Sequence, residues 1–108
     1  MNGLTIINDP NGKAQVKNDY ESIEFNVNTG ETDYDLDAQQ TTFKAVISEP
    51  HYVEISSSQN ITIKFNETTN HSITISANTL RVFDRQIFKN LYISNASGST
   101  SAIKLYIK

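Results

Sequence analysis

The chain reads as all-β, an antiparallel β-sandwich of jelly-roll kind with about eight short strands. Three observations predict it. The C-terminal half holds four alternating blocks, Ile61–Phe65 and residues 72–76, 90–94 and 102–108, in which apolar side chains take every second position. Such a run has one face to bury and one to wet, as a half-buried antiparallel strand requires. Polar stretches rich in Asn, Ser, Thr and Gly separate the blocks, and these residues favour turns because they bond their own backbone or accept positive φ. Strand candidates also recur at short, near-regular spacing, the mark of a sandwich or small barrel.

Taken in order, residues 4–7 are a short apolar run followed by Asn8-Asp9-Pro10-Asn11-Gly12. Asn11-Gly12 is a strong hairpin signal, and Pro10 belongs in the turn because it cannot donate to a ladder. Residues 14–17 are the return strand. Residues 1–20 are thus an N-terminal arm or hairpin, a candidate docking segment, and residues 21–108 are the sandwich. Ile23, Phe25 and Val27 alternate with polar residues in a strand that Thr29-Gly30-Glu31-Thr32 turns. Tyr34, Leu36 and Ala38 alternate with Asp33, Asp35 and Asp37 in a second extended segment. Over residues 42–48, which hold Phe43, Ala45, Val46 and Ile47, the alternation blurs. That predicts a strand buried on both faces or a bulge, ended by Glu49-Pro50.

Residues 52–55 form the next strand. Ile61–Phe65 and residues 73–77 make a hairpin around residues 66–71. Over residues 80–89 the loose spacing of Val82, Phe83, Ile87 and Phe88 allows one helical turn or an irregular crossover. Residues 91–94 and 103–107 read as a closing hairpin around residues 95–100. The expected core is the odd-numbered set Ile61, Ile63, Phe65, Ile73, Ile75, Leu91, Ile93, Ile103, Leu105 and Ile107. Each fully buried side chain of that set contributes roughly 1.5–3 kcal/mol.

A length of 108 residues makes one sandwich domain, large enough for a modest core without staples. Cysteine is absent, so neither a disulfide framework nor a thiolate metal site exists. The net charge of −3 and the pI near 5.2 argue against a nucleic-acid surface, which needs clustered cations to displace counterions. Arg81, Arg85 and Lys89 come closest to a cluster and read as a solvated face. The first residues lack the basic start and apolar run of a signal peptide, and no stretch reaches the ~18 apolar residues of a membrane span.

Asp33-Tyr34-Asp35-Leu36-Asp37 is the most suggestive local pattern. Carboxylates at period two share one face of an extended segment, and calcium wants oxygen ligands at such density. The match to an EF-hand loop then fails. Ala38 stands where the loop needs Gly, and Lys44 where it needs a bidentate Glu. A solvent-facing acidic strand is the expectation, with no dedicated metal and no cofactor. Asp33, Asp35 and Asp37 remain the candidate ligands if a metal binds. His51 and His71 lack a partner at zinc-ligand spacing and read as surface residues. No Gly-x-Ser-x-Gly elbow or phosphate loop exists, and a sandwich this small leaves little room for a deep cleft, so no catalytic residue is assigned. Four Asn-x-Ser/Thr matches arise from a composition rich in those residues. Tyr92 and Tyr106 take the outward phase of what read as adjacent strands. They are the candidate interface or ligand residues, either as subunit contacts or as platforms for sugar rings.

Two stretches resemble small structural proteins of tailed bacteriophages. One is Thr29-Gly30-Glu31-Thr32-Asp33-Tyr34-Asp35-Leu36-Asp37-Ala38-Gln39-Gln40, followed by Phe43. The other runs from Ile61-Thr62-Ile63-Lys64-Phe65-Asn66 through Ile73-Thr74-Ile75 and Asn90-Leu91-Tyr92-Ile93-Ser94 to Ile103-Lys104-Leu105-Tyr106-Ile107. The resemblance covers about residues 29–108 and is one of strands and turns. It implies a non-enzymatic virion protein of the capsid-decoration or head-fibre type, made in the bacterial cytoplasm. It also implies a homo-oligomer, with a trimer favoured, that docks on other virion proteins such as the major capsid protein, and no nucleic-acid or membrane partner. The alternative is a carbohydrate-binding module or host-surface adhesion domain.

Overall fold

The computed structural model describes Ile6–Asn8, Ala14–Val16 and residues 20–108. Strands β1 (Ile6–Asn8) and β2 (Ala14–Val16) pair antiparallel with Ile7 opposite Gln15. The turn assigned to Pro10, Asn11 and Gly12 lies outside the described residues. β3 (Glu21–Val27) opens the sandwich. It is followed by β4 (Tyr34–Asp35), a single helical turn α1 (Leu36–Gln39), β5 (Tyr52–Ser57), β6 (Ile61–Phe65) and β7 (Ile73–Ile75). β8 (Leu80–Asp84), β9 (Leu91–Ser94) and β10 (Ser101–Ile107) complete it.

One sheet runs β3-β10-β5-β8 and the other β4-β9-β6-β7, with every pair antiparallel. Chain neighbours alternate between the sheets except for the β6–β7 hairpin, which is the order of a jelly roll, two Greek keys folded into a double sheet. The expected all-β sandwich is therefore the fold.

The inward phase of both sheets makes one core. Val27, Val53, Ile55, Ile103, Leu105 and Ile107 face Ile61, Ile63, Ile75, Leu91 and Ile93, all 2% exposed or less. Nine of the ten residues in the expected set are buried, and Ile73 is half-buried because β7 is a sheet edge. One end of the core is aromatic: Phe65 meets Phe83 and Phe88 edge-on at 5.2 and 5.4 Å between centroids, and Phe88 stacks on Phe43 at 6.1 Å. The other end is polar, with buried Ser57 and Ser101 hydroxyls bonded to each other beside Asn95.

Four expectations are corrected. Residues 42–48 form turns, not a strand. The backbone N–H groups of Val46 and Ile47 donate to the buried Glu21 carboxylate at 2.6 and 2.5 Å, so no ladder claims them. Residues 80–84 are a strand, with Val82 outward at 49% exposure and Phe83 turned inward. The apparent helical spacing arises because Arg85, at φ 59°, breaks the strand before Phe88 re-enters the core. Residues 33–38 are extended only through Asp35, whose side chain accepts from the Ala38 N–H at 3.1 Å and caps the helical turn. Finally, β9 and β10 form no hairpin. β9 pairs with β4 and β6, whereas β10 pairs with β3 and β5 in the opposite sheet. The connection crosses at Asn95 and at Gly98, whose φ of 90° needs a residue without Cβ.

Candidate functional site

Alternation along the strands decides which side chains reach the two outer faces. On the first sheet, register places Ser22, Tyr106, Glu54 and Val82 in one row and Glu24, Lys104, Ser56 and Leu80 in the next. Tyr106 is the hub of an aromatic cluster. Tyr20 stacks on it at 5.4 Å, and Tyr52 meets it edge-on at 6.2 Å. The Lys108 ammonium sits 4.8 Å from the Tyr52 ring centroid, within cation–π range. The Tyr52 hydroxyl donates to Glu54 Oε2 at 2.5 Å. That bond, helped by desolvation and the charges of Glu54 and Asp84, pushes the Tyr52 phenol up to about 12.

Apolar side chains continue the face outward. Tyr20 is 47% exposed, Leu80 59% and Val82 49%, and Ile87 beyond β8 is 71% exposed. A shallow depression of about 170 Å³ lies among Tyr106, Glu54, Ser56, Leu80 and Lys104. An exposed apolar patch with a polar rim is the usual form of a protein-contact surface. Tyr106 was legible in the sequence as an outward aromatic. Tyr20 and Tyr52 were not, because only the pairing of β10 with β3 and β5 brings them beside it.

Tyr92 lies elsewhere. It is outward on β9, in the second sheet, between Asp35 and Lys64 in the register. The expectation that Tyr92 and Tyr106 share adjacent strands is thus corrected: the crossing after Ser94 puts them on opposite faces of the sandwich.

The acidic run does not present three carboxylates together. Asp33, at φ 51°, pairs with Lys64 Nζ at 3.1 Å. Asp35 Oδ1 takes the Ala38 N–H and the Asn90 side-chain amide at 2.7 Å. Asp37 pairs with Lys44 at 3.4 Å. Each carboxylate has its own partner, which is a structural use of all three. Among the described residues no group of three His, Cys, Asp or Glu side chains is placed to hold a metal. His51 and His71 are both exposed.

Next to Tyr92 on the same face is a trough of about 440 Å³. Its floor is the outward row Ser94–Thr62–Thr74, and its walls come from Gln59 and Asn60 before β6, Ala77 after β7, and Ala96 after β9. The sequence shows this row only as the polar half of three strands, and their lateral order makes it a surface.

No family model matches the chain, and no curated protein does. Among solved structures the chain is similar to a de novo designed double-stranded β-helix, at 13% identity and a TM-score of 0.54. The match covers 82% of this chain and 99% of that one. It shows the fold alone, the same double-sheet winding as the strand order. A chain of the disulfide-linked pili of Bacillus endospore appendages is similar at 14% identity and a TM-score of 0.46, covering 82% of this chain and 83% of that one, too loose a likeness to carry an argument.

Proposed function

We propose that this chain is a non-enzymatic structural protein of a tailed-bacteriophage virion, of the capsid-decoration or head-fibre kind. It works by self-association into a homotrimer and by docking onto another virion protein such as the major capsid protein. The observation that carries the assembly reading is the outer face of the β3-β10-β5-β8 sheet, where Tyr20, Leu80 and Val82 stand about half exposed around Tyr106. Tyrosine supplies large, rigid contact area and is enriched at interfaces. The face carries both signs of charge, Glu24 and Glu54 beside Lys104 and Lys108, so the head-to-tail contacts of a trimer can set opposite charges of neighbouring copies against each other, and the trimeric order itself rests on the resemblance. The virion assignment rests on the sequence resemblance over residues 29–108. Residues 1–20 lie outside that resemblance and are the proposed docking arm.

Sedimentation of the purified chain tests the assembly reading. A trimer that Val82→Glu weakens about tenfold or more, with unchanged melting, is the expected result. A monomer of 12.1 kDa at every concentration would overturn it. The virion reading predicts co-sedimentation of the chain with purified capsids that is lost when residues 1–19 are removed.

A further inference from the structure

We infer that the trough on the outer face of the β4-β9-β6-β7 sheet is a binding site for a neutral oligosaccharide. The site is independent of the tyrosine face, since it lies on the other sheet and at the other end of the strands. Its volume of about 440 Å³ falls in the range of small-molecule sites.

The donor and acceptor inventory points to the ligand class. Among the described residues the hydroxyls of Thr62 and Thr74 and the side-chain amide of Gln59 bond to no other protein group. Asn60 uses its carbonyl on the Ala77 N–H at 2.7 Å, which leaves its NH₂ to donate. Ser94 Oγ accepts from the Asp33 N–H at 3.0 Å, which leaves its hydroxyl proton to donate. The lining thus mixes donors and acceptors and contains no charged side chain. A ligand rich in hydroxyls matches such a mixture group for group, whereas an anion or cation would find no counter-charge. The methyls of Ala77 and Ala96 offer contact to the C–H face of a sugar ring, and Tyr92, two residues from Ser94 on the outward phase of β9, flanks the floor.

A peptide strand fits less well. Two of the three floor strands, β6 and β9, are interior with their backbone groups already paired, so strand addition could take place only at the outer edge of β7 and not over the trough. With no aromatic ring in the lining, affinity should lie in the millimolar range, about 1–10 mM.

The test is a backbone-amide NMR titration of the full chain. Maltotetraose, cellotetraose and chitotetraose serve as neutral probes and tetragalacturonate as the anionic probe. The expected result is that at least one neutral probe shifts residues 59–62, 74–77 and 94–97 and saturates at millimolar concentration, while the anionic probe does not. Thr62→Val and Thr74→Val, nearly isosteric and at half-buried and exposed positions respectively, should each weaken binding about tenfold with melting unchanged. Val82→Glu should leave it unchanged, which separates this site from the assembly reading. Absence of shifts with all three neutral probes, equal binding of the anionic probe, or full binding by both Thr variants would overturn the inference.

Discussion

Asn95 has no exposed surface, and its amide is fully used. Its NH₂ donates to the carbonyls of Val27 at 2.9 Å and Ser99 at 2.8 Å, and its Oδ1 accepts from the N–H and hydroxyl of Ser97. Its backbone is tied to Gly30 and Glu31 as well. One side chain therefore holds the crossing between the sheets to the end of β3. Asn95→Ala should cost about 1–3 kcal/mol, since the buried Val27 carbonyl and the part-buried Ser99 carbonyl lose a donor, and thermal melting reads the loss directly. Glu21 plays a similar part for the loop after α1, through Val46 and Ile47, but its buried Oε1 has no hydrogen-bond partner among the described residues. Tyr52 gives a pH signature. Its folded phenol titrates near 12 against an ordinary 10, so the folded state keeps a proton that the unfolded state releases. The contribution is complete below pH 10 and is lost as pH rises from there through 12. Absorbance titration should show the Tyr52 phenol ionising late, a delay that Glu54→Gln reduces.

β10 is the strand the fold depends on most. It is interior, paired with β3 through seven register positions and with β5 through five, and Ile103, Leu105 and Ile107 all point into the core. A carboxylate at Leu105 would be buried among apolar side chains with no partner, a cost of several kcal/mol against a total of about 5–15. Leu105→Asp should therefore abolish folding by circular dichroism, while Tyr106→Ala keeps the fold and weakens self-association in sedimentation. The reverse outcome would mean the strand is out of register by one. β8 is a different case, an edge strand. Arg81 occupies its inward phase, donates to the Thr74 carbonyl at 3.0 Å across the sandwich, and lies 5.2 Å from the Phe83 ring centroid. A charge on the inward phase of an edge strand guards against uncontrolled strand pairing, so contact between copies should use the outer face of the sheet and not its edge.

For the whole molecule, the jelly roll separates two surfaces, a tyrosine and aliphatic face on one sheet and an uncharged polar trough on the other. Neither the ion pairs of Asp33 and Asp37 nor the cap made by Asp35 leaves a carboxylate cluster for calcium. Melting should therefore be the same with and without EDTA, and a drop of many degrees would return those residues to the role of ligands.

The sequence by itself determined the strands with clean alternation, the phase of each, and therefore the core, because period-two burial is a local property of the chain. Ile61 through Phe65 and Ile103 through Ile107 were legible for that reason. It did not determine which strand lies beside which. A six-residue loop rich in Asn, Ser and Gly closes a hairpin or crosses between sheets equally well, and the choice at Asn95 was made by burial of both apolar faces at once. Every surface made from several strands inherits that choice. The tyrosine cluster joins residues from β5, β10 and the start of β3, the trough joins β6, β7 and β9, and the acidic run is dispersed by partners 7 to 55 positions away in the chain. Such contacts exist only after the sheets pack, since no local rule of propensity or spacing encodes the lateral order of strands.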